Sequence, residues 1–248
     1  MTSHSTTNLQ INISQTWNLL QAATNVGESD DVKDLYYLIE FLVFLVENEY
    51  PAIPCKAGCS QCCIDSGLPR VTALEWRHIH GYMAKTMTEG LRAQVISQNE
   101  ALHRPQLELF LQEQARIAAP KTDLPLPPFG CSQCPFLIEG MCTIYPVRPA
   151  ICRAYGYFTW RRGPDQGSQV FACQMAAETL LDSLRSQGTE TLAMPVWNRF
   201  QEKLYALNGE GAMIATLPLW LLAHTGTRET FLPTLNLAPN FEALRDQP

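Results

Sequence analysis

Cys55-Lys56-Ala57-Gly58-Cys59-Ser60-Gln61-Cys62-Cys63 puts four cysteines within nine residues, and the reading of the whole chain turns on it. A spacing of two or three residues lets one turn bring two sulfurs to a common point. Gly58 offers the unusual backbone angles such a knuckle needs. Upstream, Pro51 and Pro54 stop the preceding helix. Downstream come Cys131, Cys134, Cys142, Cys152 and Cys173, which makes nine cysteines in 248 residues. Residues 64–130 separate the two blocks. Folding must therefore bring them together, and metal binding would be coupled to folding.

The rest of the composition sets limits. Apolar residues make up 46% and charged residues 17%, enough for a real core. Net charge is −6 and no run of lysine or arginine stands out, which argues against a nucleic-acid surface. The most apolar stretch, Leu35 to Val46, is interrupted by Glu40 and is too short to span a bilayer, which takes about 20 apolar residues. Met1 to Gln10 has neither a basic nor an apolar leader region. The expectation is a soluble, cytoplasmic protein with no transmembrane segment and no nucleic-acid partner; a protein partner is left open. In a reducing compartment clustered cysteines are metal ligands or redox groups more often than disulfides, and an odd count leaves one thiol over in any all-disulfide scheme.

The periodicity predicts helices on both sides of the cysteine blocks. Residues 8–25 carry Leu9, Ile13, Trp17 and Leu20 on one stripe, and Gly27 ends that helix. Ser29 or Asp30 is expected to cap the next, which runs to Glu49 and is apolar on more than one face. Thr72 with Glu75 reads as a capping box ahead of a helix bearing Leu74, Ile79 and Met83. An amphipathic segment follows over 89–118, broken at Pro105. Prolines at 120, 125, 127 and 128 make an extended connector. Tyr155 to Phe158 reads as a small strand, and Gly163, Pro164 and Gly167 as a turn. Further helices are expected from Cys173 to Arg185, Pro195 to Asn208 and Ala212 to His224, with an irregular tail and no internal repeat. The fold class is mainly α, a single domain of helices around a loop-built cysteine metal centre. Its parts are N-terminal helices (1–50), the cysteine-cluster segment (51–180) and C-terminal helices on the same core (181–248). All the cysteines are placed in loops or at helix ends.

Cys134-Pro135-Phe136-Leu137, then Cys142-Thr143-Ile144-Tyr145-Pro146-Val147-Arg148-Pro149-Ala150-Ile151-Cys152-Arg153, sharpen the pattern. Together with the first block they resemble the CxxCxxCC zinc- or iron-chelating proteins, also called YkgJ-like cysteine cluster proteins. The resemblance covers roughly residues 50 to 180. It implies a metal set drawn from Cys55, Cys59, Cys62, Cys63, Cys134, Cys142, Cys152 and Cys173. Tyr145, Arg148, Pro149 and Arg153 match the family's flanking residues, while Cys131 departs from the pattern. The related flagellin lysine methylases imply dependence on an iron–sulfur cluster.

Eight thiols exceed the four ligands of a tetrahedral site. Either four hold an iron–sulfur cluster and the others are spare, or there are two sites. Adjacent side chains such as those of Cys62 and Cys63 point apart, so the two serve different metals or one of them is not a ligand. Cys131-x2-Cys134 would also serve as a second zinc knuckle to Cys59-x2-Cys62. Iron–sulfur is preferred over zinc as the cofactor. Arg148 and Arg153 either offset the charge of a multi-thiolate centre or pair with carboxylates and carbonyls. His4, His78, His80, His103 and His224 lack ligand spacing, and Tyr145, Tyr155, Tyr157 and Trp160 read as packing.

Three functions follow: an iron–sulfur protein of electron transfer, redox or metal handling; a cluster-dependent protein lysine methyltransferase; or a zinc-stapled interaction or assembly module. Whether the protein is an enzyme stays open. Cys55-x3-Cys59-x2-Cys62 also has radical SAM loop spacing, but no alternating strand–helix pattern accompanies it. No Walker loop, G-x-S-x-G or G-x-G-x-x-G occurs.

Overall fold

Alternation of buried and exposed positions is clearest in α1 (Val32–Glu49), where Val32, Leu35, Leu38, Ile39, Leu42 and Val46 all turn inward. The computed structural model describes residues 31–118, 133–161, 168–186, 188 and 194–247. Outside the described residues lie the helix expected over 8–25, the 120–128 connector, Cys131 and the 163–167 turn. Among the described residues there are nine α-helices and four two-stranded sheets. The protein is mainly α.

The chain forms two compact units, each built from two separated segments. One comprises Met1–Cys62 and Ala150–Leu207, the other Cys63–Pro149 and Asn208–Pro248. The short helix α2 (Gln61–Asp65) carries the division, which falls between Cys62 and Cys63.

In the first unit α1 is capped by Asp31, whose carboxylate accepts from the Lys33 amide at 2.9 Å. The cap thus stands one residue beyond the expected Ser29 or Asp30. Against α1 packs α6 (Ala150–Ala154). Its Arg153 lies 4.3 Å over the Tyr36 ring and pairs with Glu40. The strand expected at Tyr155 to Phe158 forms later, as β4 (Phe158–Arg161), and pairs antiparallel with β5 (Ser168–Phe171). Tyr155 and Tyr157 instead bend round Gly156, whose left-handed φ of 94° is a glycine conformation. Behind the hairpin, Phe158, Phe171, Trp197 and Phe200 make an aromatic core with α7 (Gln174–Ser186) and α8 (Trp197–Asn208). Phe158 meets Phe200 edge-on at 5.1 Å, and Phe171 stacks on Trp197 at 6.2 Å.

In the second unit β1 (Arg70–Thr72) pairs antiparallel with β6 (Ile214–Thr216), Val71 opposite Ala215. Residues 212–224 are therefore not one helix, as the periodicity predicts. β-Branched Ile214 and Thr216 are taken by the sheet, and α9 is only Leu217–Leu222. Each strand runs directly into a helix through a threonine: Thr72 opens α3 (Ala73–Lys85), Thr216 opens α9. Four residues on, Trp76 and Trp220 stack at 5.8 Å; four more, His80 and His224 meet at 5.0 Å. Thr-x3-Trp-x3-His thus occurs twice, a short internal repeat that the sequence reading passes over.

The Thr72–Glu75 capping box forms. Pro105 breaks the next segment into α4 (Glu89–His103), one 3₁₀ turn and α5 (Leu107–Ala118). The apolar core contains Trp76, Ile79, Val95, Phe110, Phe136 and Trp220.

His103 is fully buried and its Nε2 donates to the Gln133 carbonyl at 2.9 Å. Burial pushes its imidazole from 6.5 down to about 4. Across that window the folded chain binds fewer protons than the unfolded one, so stability falls as pH falls. The loss attributable to His103 is about 3 kcal/mol, complete near pH 4. Urea unfolding at stepped pH should give His103→Gln a flatter stability curve between pH 6.5 and 4 than the unaltered protein.

Candidate metal centre

The first cysteine block folds as a turn followed by a helical step. The Cys59 amide donates to the Lys56 carbonyl at 2.9 Å, with Gly58 at φ 91° in the third position of the turn. That is the type II geometry, which calls for glycine there. The turn brings Cys55 and Cys59 round, and α2 then carries Cys62 and Cys63 at successive helical positions, roughly 100° apart. Cys62 and Cys63 are thus inside a short helix, Cys152 is inside α6 and Cys142 inside a strand. The expectation that all the cysteines sit in loops or at helix ends is corrected at these four positions.

Within the first unit Cys55 is the focus. Its Sγ lies directly against Gly156: a methyl group added there would be 2.5 Å from the sulfur. The Gly156 amide is fixed to the Phe171 carbonyl at 2.7 Å, so the hairpin sets this contact. The Tyr157 hydroxyl donates to the Cys55 carbonyl and stands 2.7 Å from Glu47 Oε1 at the end of α1. Cys173 is buried, two residues past β5, and its carbonyl accepts from Ala177 at the start of α7.

Burial, then the proximity of Cys173, Cys59 and Cys62, then Glu47, push the Cys55 thiol up to about 12. Three cysteines therefore lie within electrostatic reach of Cys55, two from the first block and one from more than 110 residues further on. Cys152, half-buried on α6, is in the same unit but not among the groups that act on Cys55.

The second unit holds a separate group. The buried Cys134 donates its amide to the Cys63 carbonyl at 2.7 Å. Gln98 Nε2 fastens the segment after it through the Pro135 and Leu137 carbonyls, both at 3.0 Å, and Phe136 is fully buried. A hairpin of β2 (Leu137–Ile138) and β3 (Met141–Cys142) follows, turning through Glu139 and Gly140 at positive φ. Cys63, Cys134 and Cys142 all pack into or against the apolar core of that unit.

The eight described cysteines form no disulfide. Among the described residues, no group of three or more His, Cys, Asp or Glu side chains stands ready in metal-ligating geometry. The donor set nevertheless suits a thiophilic metal. The Cys55 thiol, held against ionisation by its surroundings, would be stabilised as a thiolate by a bound cation, which inverts the local electrostatics.

Neither Arg148 nor Arg153 reads simply as a counter-charge. Arg153 is engaged with Glu40 and Tyr36, and Arg148 lies 4.0 Å over the Tyr145 ring. The tyrosines divide: Tyr157 holds the Cys55 backbone, Tyr155 meets the Phe171 ring at 4.5 Å, and Trp160 is exposed. Glu47 and Gly156 are the positions sequence reasoning missed. Only the glycine had a signal, between two tyrosines just past the cysteine block. No helix among the described residues is long and apolar enough to cross a membrane.

Buried and half-buried thiols from separated segments thus stand on a helical frame. The model of one family, CxxCxxCC, described as a putative zinc- or iron-chelating domain, matches residues 54–173. The limits of that match fall at Pro54 and at Cys173, next to and on the outermost members of the Cys55 group. No curated protein and no solved structure matches the chain.

Gly156→Ala places a side chain both in a left-handed backbone and against the Cys55 sulfur. The expected cost is about 1–3 kcal/mol, measured by urea unfolding. Cys55 should also react faster with a thiol reagent, followed by mass spectrometry of the labelled peptide.

Proposed function

We propose that the protein holds an iron–sulfur cluster on Cys55, Cys59, Cys62 and Cys173 and works in electron transfer, redox sensing or metal handling. The observation that carries this is that Cys59, Cys62 and Cys173 all lie close enough to the half-buried Cys55 to act on its thiol. Three ligands from one loop and a fourth from a remote segment is a pattern iron–sulfur sites use. Structural zinc sites favour pairs of knuckles instead. When bound, such a cluster would supply one-electron redox chemistry whose potential depends on hydrogen bonding and solvent access around the sulfurs.

The chain's own residues have defined parts in this reading. The Lys56–Cys59 turn sets the spacing of Cys55 and Cys59, and the β4–β5 hairpin fixes where Cys173 emerges. Gly156 leaves room for the Cys55 sulfur, while Tyr157 and Glu47 hold its backbone from the side of α1. Aromatic packing behind the hairpin holds β4 and β5 against α8. Cys63, Cys134 and Cys142 belong to the other group and would serve a second metal or none. The thiol set suits a reducing compartment such as the cytoplasm.

The test is anaerobic purification followed by iron, sulfide and zinc analysis and a visible spectrum. Iron with acid-labile sulfide and a broad brown absorbance are expected. Cys59→Ser and Cys173→Ser should each lose most of the iron and the colour, whereas Cys142→Ser should keep both. Colourless protein with stoichiometric zinc would move the reading to a stapled scaffold. Equal bleaching in Cys142→Ser would overturn the proposed ligand set.

A further inference from the structure

The doubled Thr-x3-Trp-x3-His sets two buried imidazoles side by side, and both hold the stretch of chain that follows α9. The partners of His224 fix its protonation. Nδ1 faces the Trp220 carbonyl at 2.9 Å, which can only accept, so Nδ1 carries the proton. Nε2 faces two groups that can only donate, the Asn236 amide at 3.1 Å and the Trp76 indole N–H at 3.4 Å, so Nε2 is bare. His80 stands the other way round: its Nε2 faces the Leu232 carbonyl at 3.0 Å and donates to it. The Leu232 amide in turn donates to the His224 carbonyl at 2.9 Å. Residues 232–236 thus hang on the two histidines, and Leu235 and Leu237 pack against the apolar core of the second unit.

A proton from solvent affects the two rings differently. His80 can take one at Nδ1 and keep its bond to Leu232. His224 has only Nε2 left to protonate, which turns the shared acceptor into a third donor facing two others. No neighbouring charge offsets the resulting imidazolium. On α3, Glu75 is committed to the Thr72 cap, Arg77 and Lys85 are exposed, and His78 stands on another face from His80. Neither α9 nor residues 232–240 carry a charged side chain. Between β7 (Thr225–Gly226) and β8 (Thr230–Phe231) stand Arg228 and Glu229, both exposed. On α4, Glu89 is exposed and Arg92 lies 5.2 Å over the Phe231 ring, which itself packs on His80 at 4.8 Å. Of these groups only His80 acts on His224, as a like charge, and burial pushes both imidazoles down from 6.5. The closed arrangement binds fewer protons than the open one, so acid favours opening.

We infer that the His80–His224 pair is an acid-sensitive clasp: protonation of His224 Nε2 frees residues 233–238 and lifts Leu235 and Leu237 off the core, while α3, α4 and α9 stay folded. Leu232 remains tied through His80 and the His224 carbonyl and serves as the hinge. The clasp uses no cysteine and does not depend on which metal the cysteines hold.

Hydrogen exchange of the full-length protein, read by mass spectrometry and corrected for the intrinsic pH dependence of exchange, tests it at about pH 8 and about pH 5, the range over which histidine changes charge. Peptides covering 233–238 should lose protection about tenfold at the lower pH, while the α4 peptide 89–103 keeps its own. His224→Gln, whose amide oxygen still accepts from Asn236 but takes no proton, should keep 233–238 protected at both. His80→Gln should leave the opening in place, and so should His103→Gln, which removes the other buried imidazole described in this unit. Ring-nitrogen NMR of His224 in the unaltered protein needs no variant. It should show the Nδ1-protonated form at the higher pH and a proton gained at Nε2 where 233–238 opens. Protection that persists at both pH values overturns the proposal, as does its simultaneous loss from 233–238 and α4, or opening that survives in a folded His224→Gln. A His224 carrying its proton on Nε2 at the higher pH overturns it whatever the variants do.

Discussion

Crowding of sulfur around Cys55 is the constraint on which the first unit depends. A thiol held against Gly156, with three others close by, can be accommodated only if the backbone around it is fixed from several directions. The hairpin fixes Gly156 through Phe171, α1 fixes the Cys55 carbonyl through Glu47 and Tyr157, and α6 is tied to α1 by Arg153 with Glu40 and Tyr36. None of these polar contacts is worth more than about 1–3 kcal/mol alone. Together they define where the first block and Cys173 can stand, and electrostatic repulsion between ionised sulfurs then makes a bound cation the natural counterpart. Structure and chelation are in this sense one problem.

Much of the fold was legible because it is local. The α1 helix, the Thr72–Glu75 cap and the break at Pro105 each follow from signals within a few residues; the last two form where those signals stand, and α1 is capped one residue later, at Asp31. What was not legible is long-range. Ile214 and Thr216 continue a helical pattern in sequence, but Arg70–Thr72, more than 140 positions away, takes them into a sheet. Likewise β4 begins later than the Tyr155–Phe158 reading, since Gly156 is committed to the Cys55 turn and pairing can start only at Phe158.

The candidate site shows the same division. Spacing and the resemblance of the motif pointed to the cysteines, but spacing could not say which of them gather. The grouping of Cys173 with Cys55, Cys59 and Cys62 depends on a hairpin whose register no short motif encodes. The boundary between Cys62 and Cys63 is the exception. Successive helical positions diverge, and the two residues belong to different units. The doubled Thr-x3-Trp-x3-His went unnoticed for a different reason: its copies share only three identities and mean nothing until the strands align them.

The two units are interleaved along the chain: the first segment of one, the first of the other, then the second of each in the same order. This has a consequence for biosynthesis. As the chain leaves the ribosome, residues 1–62 wait for 150–207, and residues 63–149 wait for 208–248. Neither unit can close on its own early segment, and β1 remains an unpaired edge until β6 has been made. The nascent protein therefore carries exposed thiols and an open strand at the same time, over most of its synthesis. Both hazards end only with the last fifth of the chain.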